Sequence, residues 1–408
     1  MTRYSLYFHI PFCKHRCGYC DFNTYAGKED LIPSYVDALC KEISWGRDEL
    51  NQSSLVHTIF FGGGTPSLLS PGQFEKIIDS IDQSFTLASN AETTLEANPG
   101  TVTLENLRAI RKLEFNRISF GMQSSQPGEL RLLERQHDFL DVIQAVQWAR
   151  QAGFDNINLD LIFGLPGQSL DSWKKSLKSA LSLQPEHLAL YALSIEHGTP
   201  FHHWNRRGII ETIDDDLAAE MYDLASDTLV KHGYTQYEIS NWAKHPPGLP
   251  LGDTQNPKYA CQHNLQYWRN LPYIGFGAGA HGFANGIRTA NVLSPNVYIQ
   301  RLNSPAKQDS NLATKNFPYT PATIEAQPIG QKAEIGETLM MGLRLTREGI
   351  PLKTFEDRFQ QSLLDIFPME ISRFEKLNLL EWTQPEKTHI RLTPKGHLLG
   401  NQVFQAFI

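Results

Sequence analysis

Three of the five cysteines fall within eight residues, as Cys13, Cys17 and Cys20 in a C-x3-C-x2-C array behind a short apolar and aromatic segment. A thiolate trio this compact can wrap one metal centre. For zinc it is one ligand short of a tetrahedral set, and His9 or His15 is near enough in sequence to complete it. For a cubane iron–sulfur cluster, which ordinarily takes four cysteines, three leave one iron open to a substrate or cofactor. Spacing alone leaves both metals open.

A second candidate is Gly62-Gly63-Gly64-Thr65-Pro66, which follows an apolar run and precedes a helical pattern beginning at Pro71. Glycines let backbone approach a ligand closely, and exposed N–H groups can hold a carboxylate or phosphate. The run is neither a Walker A loop nor the dinucleotide fingerprint, and by itself a tight strand-to-helix turn explains it equally well. Glu96, Gln123, Arg135 and Asp160 lie at or soon after apparent strand ends. There a carboxylate can take ribose hydroxyls, a glutamine can bridge, and an arginine can pair with a carboxylate. Singly, each also reads as a cap or surface residue.

The elements that must position these residues alternate. Apolar strand-like runs at 5–10, 56–61, 93–97, 117–120, 157–163 and 187–193 are separated by helical spacing at 31–49, 71–85, 104–113, 142–152 and 170–183. Repeated strand–helix alternation is the signature of parallel βα units. It predicts an α/β chain with a partial (β/α)6 barrel of the TIM type. In such barrels ligands meet the loops at the C-terminal strand ends, where every candidate above falls. A cysteine loop at a barrel mouth favours the cluster over a structural zinc knuckle.

Beyond Gly198 the pattern changes to a long helix at 214–231, a mixed aromatic stretch at 234–242 and a Pro/Gly-rich loop at 246–257. Residues 303–331 are polar and poorly periodic and predict a linker, and 332–408 a small α/β module with strand-like runs at 379–382 and 389–392. The expected division is 1–200, 201–330 and 331–408. With 41% hydrophobic residues the chain can bury a core, and a formal charge of −7 argues against nucleic acid and broad attraction to anionic membranes. A short charge-poor amphipathic surface still leaves room for peripheral membrane contact. No run approaches a membrane span, and the N-terminus has no signal-peptide layout. An odd cysteine count with three close together is no disulfide framework, so a reducing cytoplasm is expected.

Taken together, Tyr7-Phe-His-Ile-Pro-Phe-Cys with its cysteine array, Gly-Gly-Gly-Thr-Pro, Ser119-Phe-Gly-Met-Gln and Asp160-Leu-Ile-Phe-Gly-Leu-Pro-Gly resemble the radical S-adenosylmethionine (SAM) enzymes of the oxygen-independent coproporphyrinogen oxidase group. The resemblance spans essentially the whole chain. It implies a [4Fe–4S] cluster on Cys13, Cys17 and Cys20, an open iron chelating SAM, and an electron donor that drives cleavage to a 5′-deoxyadenosyl radical. It places Tyr7, Gly63 and Glu96 at that SAM. Tyr19, Gly64, Thr65, Gln123, Arg135, Asp160 and Ala192 fall where the oxidase holds a second SAM.

Two departures set the chain apart from the oxidase. Phe22 stands where the oxidase pattern has a fourth cysteine, and only six residues precede Tyr7. Both features resemble the haem-chaperone branch of the family, as does His263-Asn-Leu-Gln-Tyr267-Trp268. An imidazole can ligate haem iron while Tyr and Trp pack on the macrocycle. The plainer reading is a histidine satisfied in the core, and Cys261 beside it reads as a buried thiol. The expected function is haem binding and delivery to acceptor proteins, without a catalytic residue of its own. The alternative is oxidative decarboxylation of coproporphyrinogen III. The spacing of His197, His202 and His203 specifies no metal geometry, His281 falls in the glycine-rich loop Gly279-Ala-His-Gly282 where it can face a ligand, and Cys40 sits on a helical pattern.

Overall fold

The computed structural model describes residues 2–46, 54–212, 214–304, 318–383 and 386–408, which form two compact units that interleave along the sequence. The first contains residues 1–185, 191–218 and 272–328. Its centre is a run of five parallel strands, Thr2–Ile10, Ser54–Gly63, Leu87–Ala97, Arg117–Gln123 and Ile157–Phe163, each paired with the next. On the other side of the first strand, Tyr273–Phe276 pairs in parallel. His281–Ala284, Ile287–Asn291 and Thr323–Pro328 then extend the sheet antiparallel.

Side chains alternate across these strands. One face is apolar and fully buried: Leu6, Phe8, Ile10, Phe61, Leu95, Ile118, Phe120 and Leu159. Phe8 stacks on Phe61 and Phe276 at 4.9 and 5.3 Å, and Phe61 meets Phe74 and Phe115. The other face carries Ser5, Tyr7, His9, Thr94, Glu96, Ser119, Gly121, Gln123, Asn158 and Asp160. The parallel registers line these up, with His9 beside Gly62, Glu96 beside Ser119, and Gly121 beside Asp160. Burying so polar a face requires that its groups find partners or a ligand.

The intervening helices start where their caps dictate. Ser70 and Gln73 form a reciprocal capping box with Pro71 in the first turn, and Asp138 with Asp141 does the same for Phe139–Ala152. Gly153, at φ 96°, ends the latter helix. The helix expected over 31–49 is Ile32–Ser44, and positions 47–49 lie outside the described residues. The linker expected over 303–331 needs correction. Thr323–Pro328 is a strand bonded to Ile287–Asn291, a pairing that supplies order where periodicity offers none. Residues 305–317 of that stretch lie outside the described residues.

The second unit contains 186–190, 219–271 and 329–408. Its strands His187–Ala192, Asn241–Lys244 and Tyr234–Glu238 pair antiparallel, the first contributing through Ala189 before the chain returns to the first unit at Tyr191. The expected C-terminal strands are Leu380–Trp382 and His389–Leu392, joined by the short Ile350–Pro351. They pack with helices around Leu339, Phe355, Phe374, Leu392 and Phe404. Among the described residues no helix is long and apolar enough to cross a membrane.

Candidate functional site

The C-terminal ends of the parallel strands open into a cavity of about 730 Å³. Cys13, Cys17, Cys20, Tyr19, Gly63, Gly64, Thr65, Glu96, Gln123, Arg135, Asp160 and Ala192 all line it. Of the expected site residues only Tyr7 and His263 do not. Tyr7 lies directly behind the lining, because a Cβ on Gly62 would stand 3.1 Å from both the Tyr7 ring and Glu96 Oε2. His263 belongs to the second unit.

The cysteine loop is tied down at both ends. Phe12–Cys13 pairs in parallel with Tyr25–Ala26, and Asn23 Nδ2 donates to the carbonyls of Ala278 and Leu293 at 3.1 and 3.0 Å. All three cysteines are free thiols in the structure, standing for the thiolates a metal would bind. Burial raises Cys13 and Cys20 above the ordinary thiol range, with their fellow cysteines adding to the rise. All three cysteines line the same cavity. Among the described residues no three His, Cys, Asp or Glu side chains meet closely enough for a single metal ion. A polynuclear cluster makes no such demand, since each thiolate bonds a different iron.

The zinc alternative fits poorly at His9. Tyr7 donates its hydroxyl to His9 Nδ1 at 2.9 Å, and His9 Nε2 reaches the carbonyl of Asn23 at 2.9 Å. Both ring nitrogens are engaged, and burial favours the neutral ring. His15 instead faces Glu134, 3.6 Å away. The donor set suits a cluster with an open iron. Phe22 is 64% exposed and offers no donor.

The glycine run is more than a turn. Gly62 and Gly63 are the last residues of their strand. Gly63 has φ 110°, and a Cβ there would lie 2.5 Å from His9; one on Gly64 would lie 2.7 Å from the Phe12 carbonyl. Only glycine lets the backbone pass beneath the cysteine loop. Gly63 N–H donates to Glu96 Oε2 at 3.2 Å.

Two carboxylates share the floor. Asp160 accepts from Ser119 Oγ at 2.9 Å and Asn158 Nδ2 at 2.7 Å, while burial still raises its pKa. Burial and then the charge of Asp160 push Glu96 up to about 7. The buried Arg117 opposes the rise at both carboxylates, and Arg135 does so at Asp160 as well. Such a floor can accept hydroxyls and ammonium groups. Gln123 is held at φ 62°, a conformation that costs a non-glycine residue and turns its amide toward Gly121. Ser119 stands in the sequence only as the start of a motif, and Asn158 and Arg117 belong to none; their signal is polar residues at every second position of otherwise apolar strands.

His263 is 1% exposed in the helix Gln262–Trp268, and its Nε2 lies 2.9 Å from the Tyr267 hydroxyl. Their rings meet edge to face at 4.8 Å. Trp268 carries the Arg344 guanidinium over its ring. His197, His202 and His203 cluster ring against ring, and Cys40 and Cys261 are free thiols.

Residues 7–180 match the Radical SAM superfamily model, and residues 330–399 match the HemN C-terminal domain. The solved coproporphyrinogen III oxidase (HemN) of Escherichia coli superposes with a TM-score of 0.80. It covers 100% of this chain and 90% of its own at 21% identity, a likeness of fold. Fold and site define a radical SAM protein with a partial barrel, a class that implies SAM and a [4Fe–4S] cluster. Within that class, the heme chaperone HemW of Bacillus subtilis (strain 168) is 37% identical over 405 residues, 99% of each chain. That of Lactococcus lactis (strain IL1403) is 34% identical over 404 residues, 99% of this chain and 97% of its own. The chain belongs to the heme chaperone HemW family.

Proposed function

We propose that the protein binds haem and delivers it to acceptor proteins in the cytoplasm, carrying a [4Fe–4S] cluster on Cys13, Cys17 and Cys20. The observation that carries this reading is similarity to heme chaperones along the whole chain, at 37% identity over 99% of both proteins. Phe22, where the oxidase pattern has a further cysteine, agrees with it. When bound, cluster and SAM supply one-electron chemistry, fed by an external donor.

The chain's own residues shape the place. Gly63 and Glu96 would hold the SAM at the cluster, with Tyr7 directly behind them. Tyr19, Gly64, Thr65, Gln123, Arg135, Asp160 and Ala192 line the remainder, where a second SAM would lie. For haem, His263 would supply the iron ligand, with Tyr267 and Trp268 beside the macrocycle. Ligation requires His263 Nε2 to exchange the Tyr267 hydroxyl for iron.

The test is one anaerobic preparation reconstituted with iron and sulfide. It is titrated with haem, offered an apo haem protein, and incubated with SAM, dithionite and coproporphyrinogen III. The expected result is a ligated-haem spectrum and transfer to the acceptor without protoporphyrinogen. Robust protoporphyrinogen formation would reject chaperoning as the sole role, and about one zinc per chain without sulfide would reject the cluster.

A further inference from the structure

Two residues of the cavity, Arg135 and Thr65, point at sulfur. The Arg135 side chain is part-buried, with its Nε fully shielded from water, and donates through Nη1 to Cys17 Sγ at 3.8 Å and through Nη2 to the Gly121 carbonyl at 3.2 Å. The buried Thr65 donates through Oγ1 to Cys13 Sγ at 3.6 Å. Gly121 makes room for this: a Cβ there would stand 3.2 Å from Arg135 Nη2 and 2.8 Å from Gln123 Nε2. Once these sulfurs are thiolates bound to metal they can only accept, so the direction of both bonds is fixed.

We propose that Arg135 and Thr65 set the reduction potential of the cluster by donating to the thiolates of Cys17 and Cys13, rather than serving only to contact SAM. The inference rests on those cysteines holding the cluster. One electron from a donor such as dithionite enters the cluster; no bond breaks and no proton moves. The added negative charge spreads onto the sulfurs. A hydrogen-bond donor on a sulfur, and above all a positive charge beside it, stabilises the reduced form more than the oxidised one. Both residues therefore make the cluster easier to reduce. They are positioning residues, acting through the cysteines.

The experiment is a potentiometric titration followed by electron paramagnetic resonance, on anaerobically reconstituted full chains without SAM. Iron and sulfide are measured in each. Arg135→Gln is expected to keep the cluster and move its midpoint to more negative potential. Thr65→Val should move it the same way by less. Arg135→Lys, which keeps the charge, should recover part of the shift, and Thr65→Ser should match the parent. If Arg135→Gln does not take up a cluster, the Thr65 pair decides alone. Loaded variants with the parent's midpoint would overturn the inference and leave the cluster reading intact. A parent protein that takes up zinc and no sulfide would overturn both.

Discussion

Glu96 sits in a cavity it shares with Asp160, half-buried, with its pKa pushed up to about 7 by burial first and its neighbour second. An acid whose folded pKa exceeds its unfolded value of 4.5 binds its proton more tightly when folded. Its contribution to stability is therefore greatest below pH 4.5 and is lost as the pH rises toward 7. In cluster-free protein, Glu96→Gln should flatten that fall, gaining on the order of 2–3 kcal/mol over the parent above neutrality. Denaturant midpoints of the two proteins across this range check it, and parallel curves would refute it. The sequence places Glu96 and Asp160 at strand ends. It does not show Ser119 and Asn158 closing on Asp160, because those bonds depend on strand register.

Strands and turns make sharper demands than periodicity reveals. Gly63 and Gly286 both have positive φ, 110° and 72°, but a Cβ on Gly63 would strike His9 while nothing lies within 4 Å of one on Gly286. Gly286→Ala should cost about 1 kcal/mol, from backbone strain alone. Gly63→Ala adds a collision inside a buried site and should cost about 2–4 kcal/mol. Equal denaturation midpoints would contradict this. Asn285 and Gly286 form the two-residue turn between His281–Ala284 and Ile287–Asn291, both residues left-handed, a strong hairpin signal in the sequence. The neighbouring strand Thr323–Pro328 has no such signal. Its burial pattern leaves most residues open to water, so only pairing defines it.

At the scale of the whole molecule, the cysteine loop and His263 belong to different compact units. Replacing Cys13, Cys17 and Cys20 together by Ser should abolish the roughly four irons and four sulfides of a cubane cluster and leave the ligated-haem spectrum. His263→Ala should do the reverse. Iron, sulfide and haem assays on both proteins check this, and unaltered haem binding in His263→Ala would remove that ligand from the account.

The sequence by itself determined the cysteine array, the strand–helix alternation and the motifs that mark the family, because spacing and periodicity are properties of a line. Gly62 to Thr65 were legible only as a candidate, since a tight turn explains the run equally well. What the tertiary structure alone decided is which groups are already engaged. His9 is held by Tyr7 and Asn23 and is no zinc ligand in waiting; Arg135 and Thr65 reach sulfur; and His263 is buried against Tyr267. Burial and hydrogen-bond partners follow from bringing distant segments into register, and no local pattern of residues encodes them.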